Sequence, residues 1–221
     1  MRRRTALRLL LSAVSLALLS RPLVALGQAK GIDVTPTVGY RFDGTLSTET
    51  GTLIGSVDVP GSVSFGLTVE LPIHPSWNVE VLWSHQDSVM RADFYDDPPP
   101  GIDPEFSDLA VDTIQAGALW QSGKKGDRVR GYLDFLLGAT LLRPSSEFSA
   151  LTRFSTALGG GGKLMLSDRV GLRAGFRWTL TWLGAENAGY AWCSPSWGCY
   201  EYYDTNYLSQ VDTHLGLVVR F

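Results

Sequence analysis

From Ile32 onward the chain alternates apolar and polar residues with a period of two, and helical periodicity is nearly absent. Strict alternation is the mark of strands with one apolar face. Ile32–Phe42 puts Ile32, Val34, Val38, Tyr40 and Phe42 on one face and Asp33, Thr35, Thr37 and Arg41 on the other. Seven further runs follow: Val63–Leu71, Trp77–Trp83, Leu109–Trp120, Val129–Leu141, Phe154–Leu166, Val170–Trp182 and Val211–Phe221. The fourth is the weakest, with Ile114, Ala116, Ala118 and Trp120 against Thr113, Gln115 and Gly117. Strands of about ten residues are what a tilted strand needs to cross a bilayer. The predicted fold is an all-β, eight-stranded antiparallel up-and-down transmembrane β-barrel.

The connections alternate in length. Pro72–Ser76, Gln121–Arg128 and Ser167–Arg169 are short, whereas Asp43–Gly61, Met90–Asp108, Leu142–Arg153 and Gly184–Asn206 are long. Outer-membrane barrels pair short periplasmic turns with longer outer loops, so both termini are expected on the periplasmic side.

Periodicity alone does not say which face looks outward, since a soluble lipocalin-like barrel puts its apolar face inside. Charge favours the membrane orientation. The polar face carries Asp33, Glu70, Glu80, Asp112, Asp134 and Asp212 against Arg41, Arg130, Lys163, Arg173, Arg177 and Arg220, six acids to six bases. Buried charge is costly unless paired, so a closed lumen should balance its signs. Aromatics near the ends of the apolar face, Trp77, Trp120 and Phe221 at one end and Tyr40, Phe42 and Trp182 at the other, resemble interfacial girdles.

The first 29 residues read as an export signal: Arg2–Arg4, an apolar run Leu9–Leu19, then small residues at Ala25, Gly27 and Ala29. Cleavage is expected after Gly27 or Ala29, leaving residues 30–221 as the barrel domain. The mature part has 14 Lys and Arg against 22 Asp and Glu, a net charge of −8. That balance excludes a nucleic-acid partner, which needs a basic footprint. Cys193 and Cys199 are the only cysteines, and an oxidising compartment favours their pairing as a disulfide.

The stretch Thr152–Lys163 (TRFSTALGGGGK), then Leu166–Arg173 (LSDRVGLR), resembles a segment of the OmpA/OmpX-like outer-membrane β-barrel proteins. Many members also carry a Cys pair in the following loop and end on an amphipathic strand closed by Phe. The resemblance therefore implies a Cys193–Cys199 loop. It also implies an assembly signal in Leu215, Leu217, Val219 and Phe221, read by the outer-membrane assembly machinery. It implies an outer-membrane location in a Gram-negative-type bacterium, with lipid and lipopolysaccharide as neighbours and a monomeric state. It says little of function, because this superfamily hosts adhesins, small channels and enzymes.

Several readings of function stay open. Eight-stranded barrels are just wide enough for side chains to fill, so the inward charges, with His214, read as a network filling the lumen. The alternative is a narrow channel with Arg173 and Arg177 as its selectivity element. His214 lies two residues from Asp212, which could orient it, but no Ser stands at a triad spacing, so an enzyme such as a lipid-modifying one is the third reading. Gly159–Gly162 followed by Lys163-Leu164 is not a phosphate loop. No Cys/His metal spacing or cofactor motif is present in the sequence. Tyr190, Trp192, Trp197, Tyr200, Tyr202 and Tyr203 crowd the last outer loop, as a lid or as a contact surface for an unidentified extracellular ligand.

Overall fold

A computed structural model describes residues 31–47, 54–94, 105–123, 127–145, 149–183, 192–194, 198–200 and 207–221. The strands are β1 (Asp33–Arg41), β2 (Gly44–Ser47), β3 (Ile54–Val59), β4 (Ser62–His74), β5 (Trp77–Phe94), β6 (Glu105–Gln121), β7 (Val129–Pro144), β8 (Leu151–Met165), β9 (Val170–Trp182), β10 (Trp192–Ser194), β11 (Gly198–Tyr200) and β12 (Tyr207–Arg220). Eight of them, β1, β4, β5, β6, β7, β8, β9 and β12, form an antiparallel meander, and β1 pairs with β12 to close it. Closure removes the free edges that lipid cannot satisfy. The expected barrel is therefore present, with its short turns and both ends of the described barrel at one end.

The expected outward face is outward. Phe65, Phe135, Phe176 and Leu215 are each more than half exposed, while Glu70, Glu80 and Arg173 on the opposite face are at most 1% exposed. The aromatics lie on this outer surface: Trp77 is the direct cross-strand partner of Trp120, and Trp182 that of Tyr207.

Two expectations change. The long connections are partly ladder. Within Asp43–Gly61, β2 and β3 form a hairpin, and β3 pairs with the upper part of β5. β5 and β6 stay paired up to Arg91 and Glu105.

Asp112 is not in the lumen. It shares the outward register of Ile114, directly opposite His85. His85 Nδ1 lies 2.9 Å from its carboxylate, and the Arg143 guanidinium also donates to it. The reason is an inversion of polarity along single strands. On β5 the outward residues run Trp77, Val79, Val81, Trp83, then His85, Asp87, Val89 and, past a bulge at Met90, Arg91. On the inward side, Glu80 and Gln86 give way to Met90. On β6 the inward Thr113 and Gln115 are followed, toward the outer end, by Val111 and Leu109. Val111 pairs directly with Leu142 of β7. Register is unbroken from Trp77 to Met90, so what changes is the surrounding medium. Lipid-facing strands are apolar outside, and strands in water are apolar inside. The boundary lies between Trp83 and His85 on β5 and between Ile114 and Asp112 on β6.

An Arg on the outer face should therefore be costly below that boundary and tolerated above it. Leu137→Arg is expected to cost about 2–4 kcal/mol in urea unfolding from liposomes. Asp87→Arg, outward but above the boundary, should stay within about 0.5 kcal/mol.

Candidate functional site

The inward charges meet in one connected network. Arg173 of β9 reaches across the barrel, with Nη1 donating to Glu70 Oε1 at 2.8 Å and Nη2 to Glu80 Oε2 at 3.0 Å. Glu70 also accepts from Lys163, from Asn78 Nδ2 at 3.0 Å and from Gln121 Nε2 at 3.1 Å. Arg177 Nη2 donates to Glu80 Oε1 at 3.0 Å, and its Nε to Asp134 Oδ1 at 3.5 Å. At the end that holds the barrel's two termini Arg220 grips Asp33 with two bonds of 2.7 and 2.9 Å. Charge-assisted and forked bonds of this kind are the strong ones. They offset the cost of desolvating the ions only because nearly every oxygen has a donor.

The Asp212–His214 pair read from the sequence forms, with His214 Nδ1 3.2 Å from Asp212 Oδ1. Its third member is a tyrosine: Tyr132 Oη lies 3.1 Å from His214 Nε2, and Arg173 sits 4.2 Å from the Tyr132 ring centroid. The alternation of Val129–Leu141 gives Tyr132 the inward parity of Asp134 but does not mark its role. Two glycines make its room. A side chain at Gly175 or at Gly161 would strike Tyr132 Oη. One at Gly159 would meet the Asp134 carboxylate at 2.6 Å. The glycine run is thus a hollow in the wall that receives Tyr132 and Asp134.

Above this layer the described lumen is lined mainly by hydroxyl and amide side chains. Gln115 Nε2 donates to Ser155 Oγ at 2.9 Å, and Thr140 is bonded at 3.2 Å to both Thr113 and Thr181. Arg41, expected in the charge network, donates to Ser84 Oγ at 2.8 Å. Higher still, the inward Met90, Leu109, Val111, Leu142 and Leu208 are each at most 1% exposed. A water-filled mouth would leave such residues wet.

Arg130, also expected in the network, stands apart from it at the mouth beside the barrel's termini, where its Nε donates to the Asp127 carbonyl at 3.3 Å. Cys193 lies directly opposite Cys199 in the β10–β11 ladder, with Trp192 opposite Tyr200. Tyr190, Trp197, Tyr202 and Tyr203 lie outside the described residues, as do residues 1–29, expected as an export signal. Leu215, Leu217 and Phe221 are exposed on the outer face of the terminal segment, in the register of Val219.

No protein-family model matches the chain, and no curated protein matches it in sequence. Solved structures do match in fold. Neisserial surface protein A is similar with a TM-score of 0.53 at 16% identity, over 86% of this chain and 97% of that one. The outer membrane protein OprG of Pseudomonas aeruginosa gives 0.57 at 12%, over 87% and 96%. This chain has the OmpA/OmpX-like outer-membrane β-barrel fold. The outer membrane protein AlkL, solved in lipid bilayers, gives 0.54 at 14%, over 87% and 90%. Likeness at these identities concerns the outer-membrane barrel itself; the inward network is read from this chain's own residues.

Breaking the network at its centre should be severe. Arg173→Met leaves Glu70 and Glu80 short of a donor and is expected to cost about 3–5 kcal/mol, read by urea unfolding. The double change Glu80→Gln with Arg173→Met removes one charge of each sign, leaves Glu70 to Lys163 and Arg177 to Asp134, and should recover part of that loss. Separately, Gly175→Ala is expected to cost roughly 1–3 kcal/mol by overpacking. Tyr132→Phe in the same chain should relieve part of that cost, giving a measurable coupling in a double-mutant cycle.

Proposed function

We propose that this chain is an integral outer-membrane barrel with a closed, structural interior, acting in the envelope through its outward surface and outer end. The observation that carries this reading is the buried Glu70–Arg173–Glu80–Arg177 cross-brace, with the buried apolar residues Met90, Val111 and Leu142 above it. An ion on an axial path would have to displace ion pairs that are themselves fully desolvated. In this reading residues 1–29 are an export leader, removed before assembly. The outward Leu215, Leu217, Val219 and Phe221 serve as the assembly signal, and the barrel is a monomer among lipid and lipopolysaccharide. Cys193 and Cys199 form a disulfide that stiffens the last outer loop, whose aromatic residues are its contact surface. No catalytic role is assigned: the Asp212–His214–Tyr132 chain is buried and serves the lumen network.

The refolded mature protein should give no defined single-channel openings in planar bilayers. Discrete openings in the unaltered protein, changed in size or selectivity by Arg173 or Arg177 substitution, would replace this reading with the narrow channel.

A further inference from the structure

The outward apolar run is not equally tall around the barrel. On β9 every outward residue from Val170 to Trp182 is apolar. On β5 the run stops after Trp77, Val79, Val81 and Trp83, and on β6 it spans only Ile114 to Trp120. At 3.3 Å per residue these are about 40 Å and about 20 Å of strand. At the usual tilt of barrel strands they cover about 30 Å and about 15 Å of membrane.

Charge ends the run on β5 and β6. His85 Nδ1 lies 2.9 Å from Asp112 Oδ1, its Nε2 lies 3.2 Å from Asp87 Oδ1, and Arg143 of β7 donates to Asp112. The same rung is apolar on both sides of this cluster. Phe65 of β4 is directly opposite His85, and Leu141 of β7 is directly opposite Asp112. Phe65 and, beyond it, Val63 are each more than half exposed. Strand tilt raises one neighbour of a rung and lowers the other, so it does not account for apolar residues on both flanks. Hydrocarbon does not cover ionised side chains. It has to end below His85 and Asp112 and still reach Phe65 and Leu141. Each charged side chain of the cluster already has its partner within the chain, so the face calls for no protein ligand.

We propose that the β5–β6 face is a membrane-thinning surface. Beside it the leaflet at the end away from the termini dips to the level of Trp83 and Ile114, and lipid headgroups with their water fill the notch around His85, Asp87 and Asp112. A belt shorter than the hydrocarbon is met by thinning of the bilayer. The proposal rests on the reading of the chain as an integral barrel acting through its outward surface, and it says where that surface deforms the lipid.

The test uses the mature barrel in phosphatidylcholine liposomes. Nitroxides placed singly at Phe65, His85 and Leu141 sample one rung, and one at Phe135 in mid-belt reports insertion. Each is scored for collision with oxygen, which partitions into lipid, and with a water-soluble nickel complex. Labelling His85 leaves the Asp112–Arg143 pair in place. The expected result is oxygen contact at Phe65, Leu141 and Phe135 and nickel contact at His85. Oxygen contact at all four, or nickel contact at Phe65, His85 and Leu141 alike, would overturn the dip. Nickel contact at Phe135 as well would overturn the embedded barrel with it. A second measurement fills the notch with His85→Leu and Asp112→Leu together. The acyl-chain length of greatest stability, read by urea unfolding from dimyristoleoyl to dieicosenoyl phosphatidylcholine, should then move to longer chains; no shift would count against thinning. If this variant does not refold, the rung scan decides alone. A cross-linked dimer of the unaltered barrel that the double change abolishes would give the face to a second copy and overturn the lipid assignment.

Discussion

Arg173 is the side chain on which the rest of the interior depends. Closing a barrel in lipid leaves no charged group a place on the apolar outside, so charge must go inward, and inward charge must be paired. Arg173 meets this requirement by bridging Glu70 and Glu80, with Arg177 and Lys163 completing the carboxylates. The wall is shaped around that arrangement. Glycines at 159, 161 and 175 leave the volume that Asp134 and Tyr132 occupy. Tyr132 in turn faces the Arg173 guanidinium and the His214 ring. Strands far apart in sequence are thereby tied across the barrel axis as well as along its wall.

The same rule, applied in two media, explains the outer end. Between Trp83 and His85 the outward residues of β5 pass from apolar to charged, and on β6 the inward residues pass from Gln115 and Thr113 to Val111 and Leu109. The strands do not end at the membrane surface. They continue into water with the inside-out pattern of a soluble sheet, and they are widened there by the β2–β3 hairpin. His85, Asp112 and Arg143 then form an outward polar cluster at the level where lipid gives way to water. The apolar belt beneath this cluster is shorter on β5 and β6 than on β9, where outward apolar residues run from Val170 to Trp182.

Most of the barrel was legible in the sequence because period-two alternation and the short–long rhythm of connections are local signals. The inward identities of Glu70, Glu80, Asp134, Lys163, Arg173 and Arg177 followed from parity alone. Asp112 failed for a physical reason: its parity matched Ile114, but its charge matched the lumen, and the conflict marked the lipid–water boundary rather than an inward charge. The weak fourth run was the same signal. Arg130 has inward parity but lies at the mouth, and depth within a strand cannot be read from alternation. Tyr132 was hidden because its partners, the glycines and His214, come from three other strands. The β2–β3 hairpin was read as loop because its strands are short and flanked by Asp43, Pro60 and Gly61.

The most direct test of the account is a nitroxide scan along Trp77–Arg91 in liposomes, comparing collision with oxygen, which partitions into lipid, and with a water-soluble nickel complex. The expected result is oxygen contact at the odd positions through Trp83, nickel contact at the odd positions from His85 onward, and little of either at the even positions from Glu80 to Gln86. Nickel contact at Glu80, Leu82 and Ser84 would mean a water-filled lumen and would contradict it.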